Sequence, residues 1–218
     1  MKSQDSLFIT LEGGEGSGKS TLARKLTETL ISLGYNAIST REPGGTKLGN
    51  QVRYWLLNRD SDVSLGSISE LLLFLAARAQ HIEELIKPAL DSGKIVICDR
   101  FNDSTIAYQG IARGLGAEIV ENQCLFACQG VLPQLTLFLD LDPRIGLERT
   151  KKLSKDSAKD GVMDRIESEE LAFHDSVREG LRWIAKNNPN RVHLIDASQT
   201  FEEVLQNSLE IILYSLNR

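Results

Sequence analysis

Leu7-Phe8-Ile9-Thr10-Leu11-Glu12 runs without a break into Gly13-Gly14-Glu15-Gly16-Ser17-Gly18-Lys19-Ser20-Thr21, and this junction decides the fold. Its first part is apolar, β-branched and aromatic-containing, the pattern of a buried strand. Its second part fits Gly-x-x-x-x-Gly-Lys-Ser/Thr, a phosphate loop. The glycines let backbone N–H groups turn inward around phosphate oxygens, Lys19 reaches the β- and γ-phosphates, and Ser20 offers its hydroxyl to Mg²⁺. The residues set around a bound triphosphate are therefore Gly13, Gly14, Glu15, Gly16, Ser17, Gly18, Lys19, Ser20 and Thr21. Beyond them Leu22, Leu26, Leu30 and Ile31 keep a helical spacing until Gly34 stops it. A helix N-terminus thus points at the anion and its dipole adds to the N–H cradle. A glycine-rich turn that merely joins strand to helix is the plainer alternative.

The whole chain limits the partners. Its 218 residues, 41% of them hydrophobic, are enough for one large core, so a single domain over 1–218 is expected. A formal net charge of −5 gives no general attraction for nucleic acid or anionic membrane, and any anionic ligand has to be held by a local basic cluster. No apolar run is long enough to span a bilayer, and Met1-Lys2-Ser3-Gln4-Asp5 does not read as a signal peptide. A cytoplasmic protein is expected. Cys98, Cys124 and Cys128 form no disulfide framework and lack the further ligands zinc requires, so they read as core.

Further along, residues 36–40 read as a second strand that ends in the loop Arg41-Glu42-Pro43-Gly44-Gly45-Thr46. In open α/β sheets ligands gather beyond the carboxyl ends of strands, which puts this loop on the edge of the phosphate loop. A short helix over 49–57 and an exposed polar loop over 58–62 come next. A long helix then starts at Ser67, with Leu71, Leu72, Leu75, Ala79, Ile82, Leu85 and Ile86 at three- and four-residue steps, and Phe74 and Arg78 on one face.

Residues 94–98 are a continuous apolar run that delivers Asp99-Arg100 at a strand's carboxyl end. An Asp there can hold Mg²⁺ and the adjacent Arg can face a phosphate bidentately; an exposed ion pair at the strand end is the alternative. Residues 101–110 open a helix dense in hydrogen-bonding side chains, suited to a nucleobase edge. An amphipathic segment over 118–128, a fourth buried strand over 135–141 and a helix from Asp142-Pro143 follow. That helix carries Arg144 and Arg149 and gives way to a polar, basic stretch over 150–161. A lid over about 150–164 or a solvated surface loop both fit this composition. Helix is expected again from about Asp164 to Asn187, then a fifth strand over 191–195 and a closing helix over 201–216.

The alternation of strand and helix predicts the α/β class: a three-layer P-loop NTPase fold with a five-stranded parallel sheet, helices on both faces and a mobile lid. His81, His174 and His193 fall at no strand end that meets the loop, and none reads as catalytic.

A phosphate loop serves hydrolases, switches and kinases alike. No Asn/Thr-Lys-x-Asp guanine motif and no Asp-x-x-Gly switch is present, and Asp99 is followed by Arg rather than by a second acid. An acceptor that is itself a phosphate fits better, because a phosphate monoester, with a second pKa of about 6, is mostly dianionic at neutral pH and needs no protein base. The chemistry reduces to charge neutralisation and alignment, which calls for Mg²⁺, Lys19, strand-end arginines and a basic lid.

The blocks Glu12-Gly13-x-Glu15-Gly16-x-Gly18-Lys19-Ser20-Thr21, Thr40-Arg41-Glu42-Pro43-Gly44-Gly45-Thr46, Phe74-x-x-x-Arg78, Asp99-Arg100 with Asp103-Ser104-Thr105-x-Ala107-Tyr108-Gln109-Gly110, Asp164-Arg165-x-Glu167 and Asp196-Ala197-Ser198 resemble, in that order, the bacterial thymidylate kinase family. The resemblance implies a homodimeric enzyme that moves the γ-phosphate of ATP to dTMP, giving dTDP and ADP with Mg²⁺. It further implies that Phe74 stacks on thymine, Arg78 bonds a base carbonyl, and Ser104 and Thr105 read the remaining edge, with Gln109 beside them. Tyr108 would pack on the sugar, Glu15 would sit by the acceptor's sugar and phosphate, and Arg100 would bridge the two phosphates. Arg149 and the loop from Ala197 to Gln199 would flank adenine. Since the phosphate loop has no basic residue before Lys19, the lid has to supply one, from Lys151, Lys152, Lys155, Lys159 or Arg165. Phe101 and Asn50 stand where the family pattern has Tyr and Glu. Another nucleoside or nucleoside-monophosphate kinase, and a nucleotide-binding regulatory protein without turnover, are the competing readings.

Overall fold

The computed structural model describes residues 6–58, 64–156 and 164–217. Five strands, β1 (Leu7–Gly13), β2 (Ala37–Arg41), β3 (Ile95–Asp99), β4 (Leu135–Asp140) and β5 (Val192–Asp196), form one sheet in the order β2-β3-β1-β4-β5. Every pairing is parallel. The register aligns the strand ends: Leu11 and Arg41 both stand opposite Asp99, Gly13 opposite Leu139, and Asp140 opposite Asp196. The expected five-stranded parallel α/β sheet is therefore present, and its carboxyl edge gathers Gly13, Arg41, Asp99 and Asp140.

Burial on both faces explains the apolar strands. One face packs against α1 (Lys19–Ser32) and α9 (Phe201–Leu216), burying Leu22, Leu26 and Leu30 beside Val204 and Ile212. Ile31, which shares the same spacing, turns outward. The other face carries α3 (Ser67–His81), a π turn over Ile82–Ile86 and α4 (Lys87–Asp91), then α5 (Asn102–Thr105), a second π turn over Ile106–Ala112, and α6 (Ala117–Ala127). The long helix expected from Ser67 thus continues, through a π turn, as far as Asp91. Leu72 lies on its solvent side rather than in the core.

Two expectations are corrected. The helix from Pro143, α7, does not give way at Thr150 but runs to Asp156. Helix does not resume at Asp164: α8 begins at Leu171 and ends at Asn187, and α2 spans Lys47–Leu57. Residues 165–168 form turns because the Asp164 carboxylate accepts the N–H groups of Ile166 at 2.9 Å and Glu167 at 2.8 Å, while Glu167 accepts the N–H of Asp164 at 2.9 Å. Such local bonds offer the backbone an alternative to the helix ladder. Most of the expected exposed loop over 58–62, and Lys159 of the expected lid, lie outside the described residues. All three cysteines are buried and unpaired. Among the described residues no helix is long and apolar enough to cross a membrane.

Candidate active site

The loop between β1 and α1 is shaped by backbone geometry that side chains resist. Gly16 and Gly18 take φ of 66° and 91°, and Gly18 caps α1 in the left-handed region. The loop also leans on α7, where a β-carbon on Gly16 would stand 2.1 Å from the carbonyl oxygen of Gly146. Lys19 folds back over the loop, donating to the Gly14 carbonyl at 2.8 Å and the Ser17 hydroxyl at 3.1 Å. Burial, with Arg100 nearby, brings its ammonium down to about 8. Ser20 donates its hydroxyl to Asp99, so the two residues expected to hold Mg²⁺ are in contact.

Arg100 closes the loop from the β3 side. Its guanidinium donates to the Gly13 carbonyl at 3.0 Å, the Ser104 hydroxyl at 3.1 Å and the Glu15 carboxylate at 2.6 Å, and lies 4.9 Å from the Tyr108 ring centre. The Tyr108 hydroxyl donates to the same Glu15 oxygen at 2.8 Å. Burial pushes the Glu15 carboxyl up, but Arg100, Lys19 and Tyr108 outweigh it and hold the group at about 2. Burial likewise opposes the charge on Arg100, and Glu15 more than restores it.

Three hollows run in a row along this edge. The first, lined by Phe74, Arg78, Ser104, Thr105, Tyr108 and Gln109, brings together the side chains expected around a base. The second, over the phosphate loop, is lined by Lys19, Ser20 and Asp99 and shares Glu15, Arg53 and Arg100 with the first. The third, lined by Arg149, Ala197 and Gln199, shares Gly18 with the second. Arg149 reaches this place by donating to the Ala197 carbonyl at 3.2 Å.

Several expected base-reading groups have other partners inside the protein. Arg78, 1% exposed, donates to Glu42 at 2.8 Å, to Thr105 at 2.9 Å and to the Cys124 sulfur at 3.3 Å. Glu42 in turn contacts His81 Nδ1 at 3.0 Å. Ser104 donates to Glu12, and Gln109 donates to Glu70 at 2.8 Å. Arg165 donates to Glu70 and, at 2.8 Å, to the Leu56 carbonyl, and it is not among the residues that line the phosphate hollow. Lys151 and Lys152 are exposed on α7, and Lys155 lies on the same helix.

Sequence reasoning missed Arg53, which lines both of the first two hollows and donates to the Pro43 carbonyl at 3.2 Å. A charged residue beside buried Val52 was the available sign. It also missed Asp164 and Glu167, which line the phosphate hollow although their motif was legible.

Against known proteins, the family model described as thymidylate kinase matches residues 11–208. The thymidylate kinase of Protochlamydia amoebophila is 56% identical over 205 residues, covering 94% of this chain and 91% of that one. That of Chlamydia felis is 47% identical over 201 residues, covering 91% and 93%. A crystal structure of thymidylate kinase from Ehrlichia chaffeensis superposes with a TM-score of 0.74 at 37% identity, covering 95% of this chain and 98% of the other.

Proposed function

This chain belongs to the thymidylate kinase family, and we propose that its row of hollows holds ATP and dTMP end to end, with Arg100 and Glu15 where their phosphates meet. The reaction is transfer of the γ-phosphate of ATP to dTMP, giving dTDP and ADP. The observation that carries the reading is the sharing of Glu15, Arg53 and Arg100 between the phosphate-loop hollow and the base pocket.

The acceptor oxygen is already anionic, so the protein has to bring two anions together rather than remove a proton. Lys19 gives up its contacts with Gly14 and Ser17 for the β- and γ-phosphates of ATP. Arg100, held charged, exchanges Glu15 and the Gly13 carbonyl for phosphate oxygens on both nucleotides, and Arg53 adds a third cation. Phe74 offers the base a ring face, while Arg78 is fixed by Glu42 and Thr105 and so presents a rigid edge. Arg149, Ala197 and Gln199 flank adenine. The hydroxyl and carboxylate oxygens of Ser20 and Asp99 suit a hard cation, and Mg²⁺ held there would neutralise phosphate charge. The further basic charge comes from the α7 lysines, with Lys151 and Lys152 nearest the cleft-lining Thr150 in sequence.

A homodimer fits the exposed apolar residues on two helices that touch: Ile68 and Leu72 on α3, Ile119 and Phe126 on α6. A cytoplasmic location fits three unpaired cysteines. ADP release measured with dTMP, dUMP, CMP, GMP and thymidine as acceptors tests the assignment. dTMP is expected to lead, and a panel in which it is among the poorest would overturn the reading.

A further inference from the structure

The site as described leaves Glu12 without a task. It stands just before Gly13, 1% exposed, where a carboxylate is costly unless its oxygens are used. Both are used: one accepts the N–H of Phe101 at 2.9 Å and the other accepts the Ser104 hydroxyl. Neither bond belongs to a strand or helix ladder, and both fall on residues that follow Arg100. Arg100 itself has φ of 69°, a left-handed conformation that arginine seldom takes. Its own N–H is held by the Leu11 carbonyl at 2.9 Å, and its guanidinium donates to Ser104 at 3.1 Å. The end of β1 thus grips the Arg100 turn on both sides, and one hydroxyl connects the Glu12 carboxylate to the guanidinium.

We propose that Glu12 is a positioning residue for phosphoryl transfer, holding the strained Arg100 turn through the Phe101 amide and the Ser104 hydroxyl so that the guanidinium stands over the phosphate loop. The inference rests on the reading that Arg100 serves the phosphates. A carboxylate suits the task because both its oxygens accept; glutamine keeps the volume but offers one acceptor and turns an N–H₂ toward Ser104. Burial and Asp103 push the Glu12 carboxyl up to about 7, against the pull of Ser104, Arg100 and the Phe101 N–H, so its carboxylate form gains as pH rises above neutrality.

Steady-state kinetics at pH 8 on Glu12→Gln, Arg100→Ala and the double variant test the proposal, with thermal melts as a check on folding. Misplacing a reacting group by a small distance costs up to about 100-fold, so Glu12→Gln is expected to lower kcat by about 30-fold or more. KM for ATP and for dTMP should move by less than about threefold, and the double variant should lie within about threefold of Arg100→Ala, since the brace then has nothing to hold. Glu12→Gln with full turnover, or with the same penalty in the Arg100→Ala background, would overturn the inference. Full turnover in Arg100→Ala itself would instead remove the reading of Arg100, and the inference with it. Should Glu12→Gln fail to fold, Glu12→Asp, which keeps the charge and withdraws it from the Phe101 amide, is measured in the same cycle with the same outcomes.

Discussion

Gly16 and Gly146 meet backbone to backbone: a β-carbon on Gly16 would lie 2.1 Å from the Gly146 carbonyl oxygen, and one on Gly146 would lie 2.1 Å from the Glu15 carbonyl oxygen. The phosphate loop therefore takes its position from α7 as well as from β1 and α1. Overpacking of this kind costs about 1–3 kcal/mol, so Gly146→Ala is expected to lower thermal stability and to weaken ATP binding by displacing the loop. Gly14→Ala is the steric control for stability, because its β-carbon would meet nothing within 4 Å. Calorimetric melts and ATP titrations on both variants check this, and undiminished ATP affinity in Gly146→Ala would contradict it.

The sheet and its carboxyl edge were legible because buried parallel strands write themselves as continuous apolar runs, as in Ile95-Val96-Ile97-Cys98. The phosphate loop was legible because its glycines answer to backbone geometry at known offsets. Helix ends were harder to place. Asp164 reads as the start of a helix, yet its carboxylate captures the next turn's N–H groups and delays α8 to Leu171. The pairing of Arg165 with Glu70 joins residues 95 apart, and the grip of Glu12 on Phe101 joins residues 89 apart. Such partners depend on which side chains the folded sheet brings together, a relation that local pattern does not carry.

Among the described residues the Lys19 ammonium bonds only to its own loop, through Gly14 and Ser17, and it is a cation proposed to meet the donor phosphates. Lys19→Ala should leave the melting curve nearly in place and lower kcat by about 10²–10³-fold, the loss typical of removing one preorganised donor. Turnover within a few-fold of the unmodified enzyme would count against the phosphate-loop assignment.

Arg78 differs from Lys19 because it serves the pocket and the fold together. Removing one partner of a buried pair costs about 3–5 kcal/mol, so Arg78→Ala should be markedly less stable, with Glu42 left beside His81 alone. In the folded fraction, KM for dTMP should rise more than KM for ATP. Equal rises would indicate general loosening of the pocket rather than loss of an acceptor contact.

Glu12 and Glu15, three residues apart, are shifted in opposite senses, and this gives the stability curve a definite shape. The Glu15 carboxyl is held at about 2 against an ordinary 4.5, so the folded chain binds fewer protons there than the unfolded one between these values. Its contribution is complete above pH 4.5 and is lost as pH falls toward 2. The Glu12 carboxyl is raised from 4.5 to about 7 by burial and Asp103, so there the folded chain binds more protons and stability declines as pH rises from 4.5 to 7. Unfolding free energies across this range are expected to show Glu12→Gln gaining on the parent protein between pH 5 and 8. Glu15→Gln should show the converse, its deficit narrowing between pH 4.5 and 2. A Glu12→Gln curve that runs parallel to the parent's from pH 5 to 8 would mean that the carboxylate keeps its ordinary titration inside the fold.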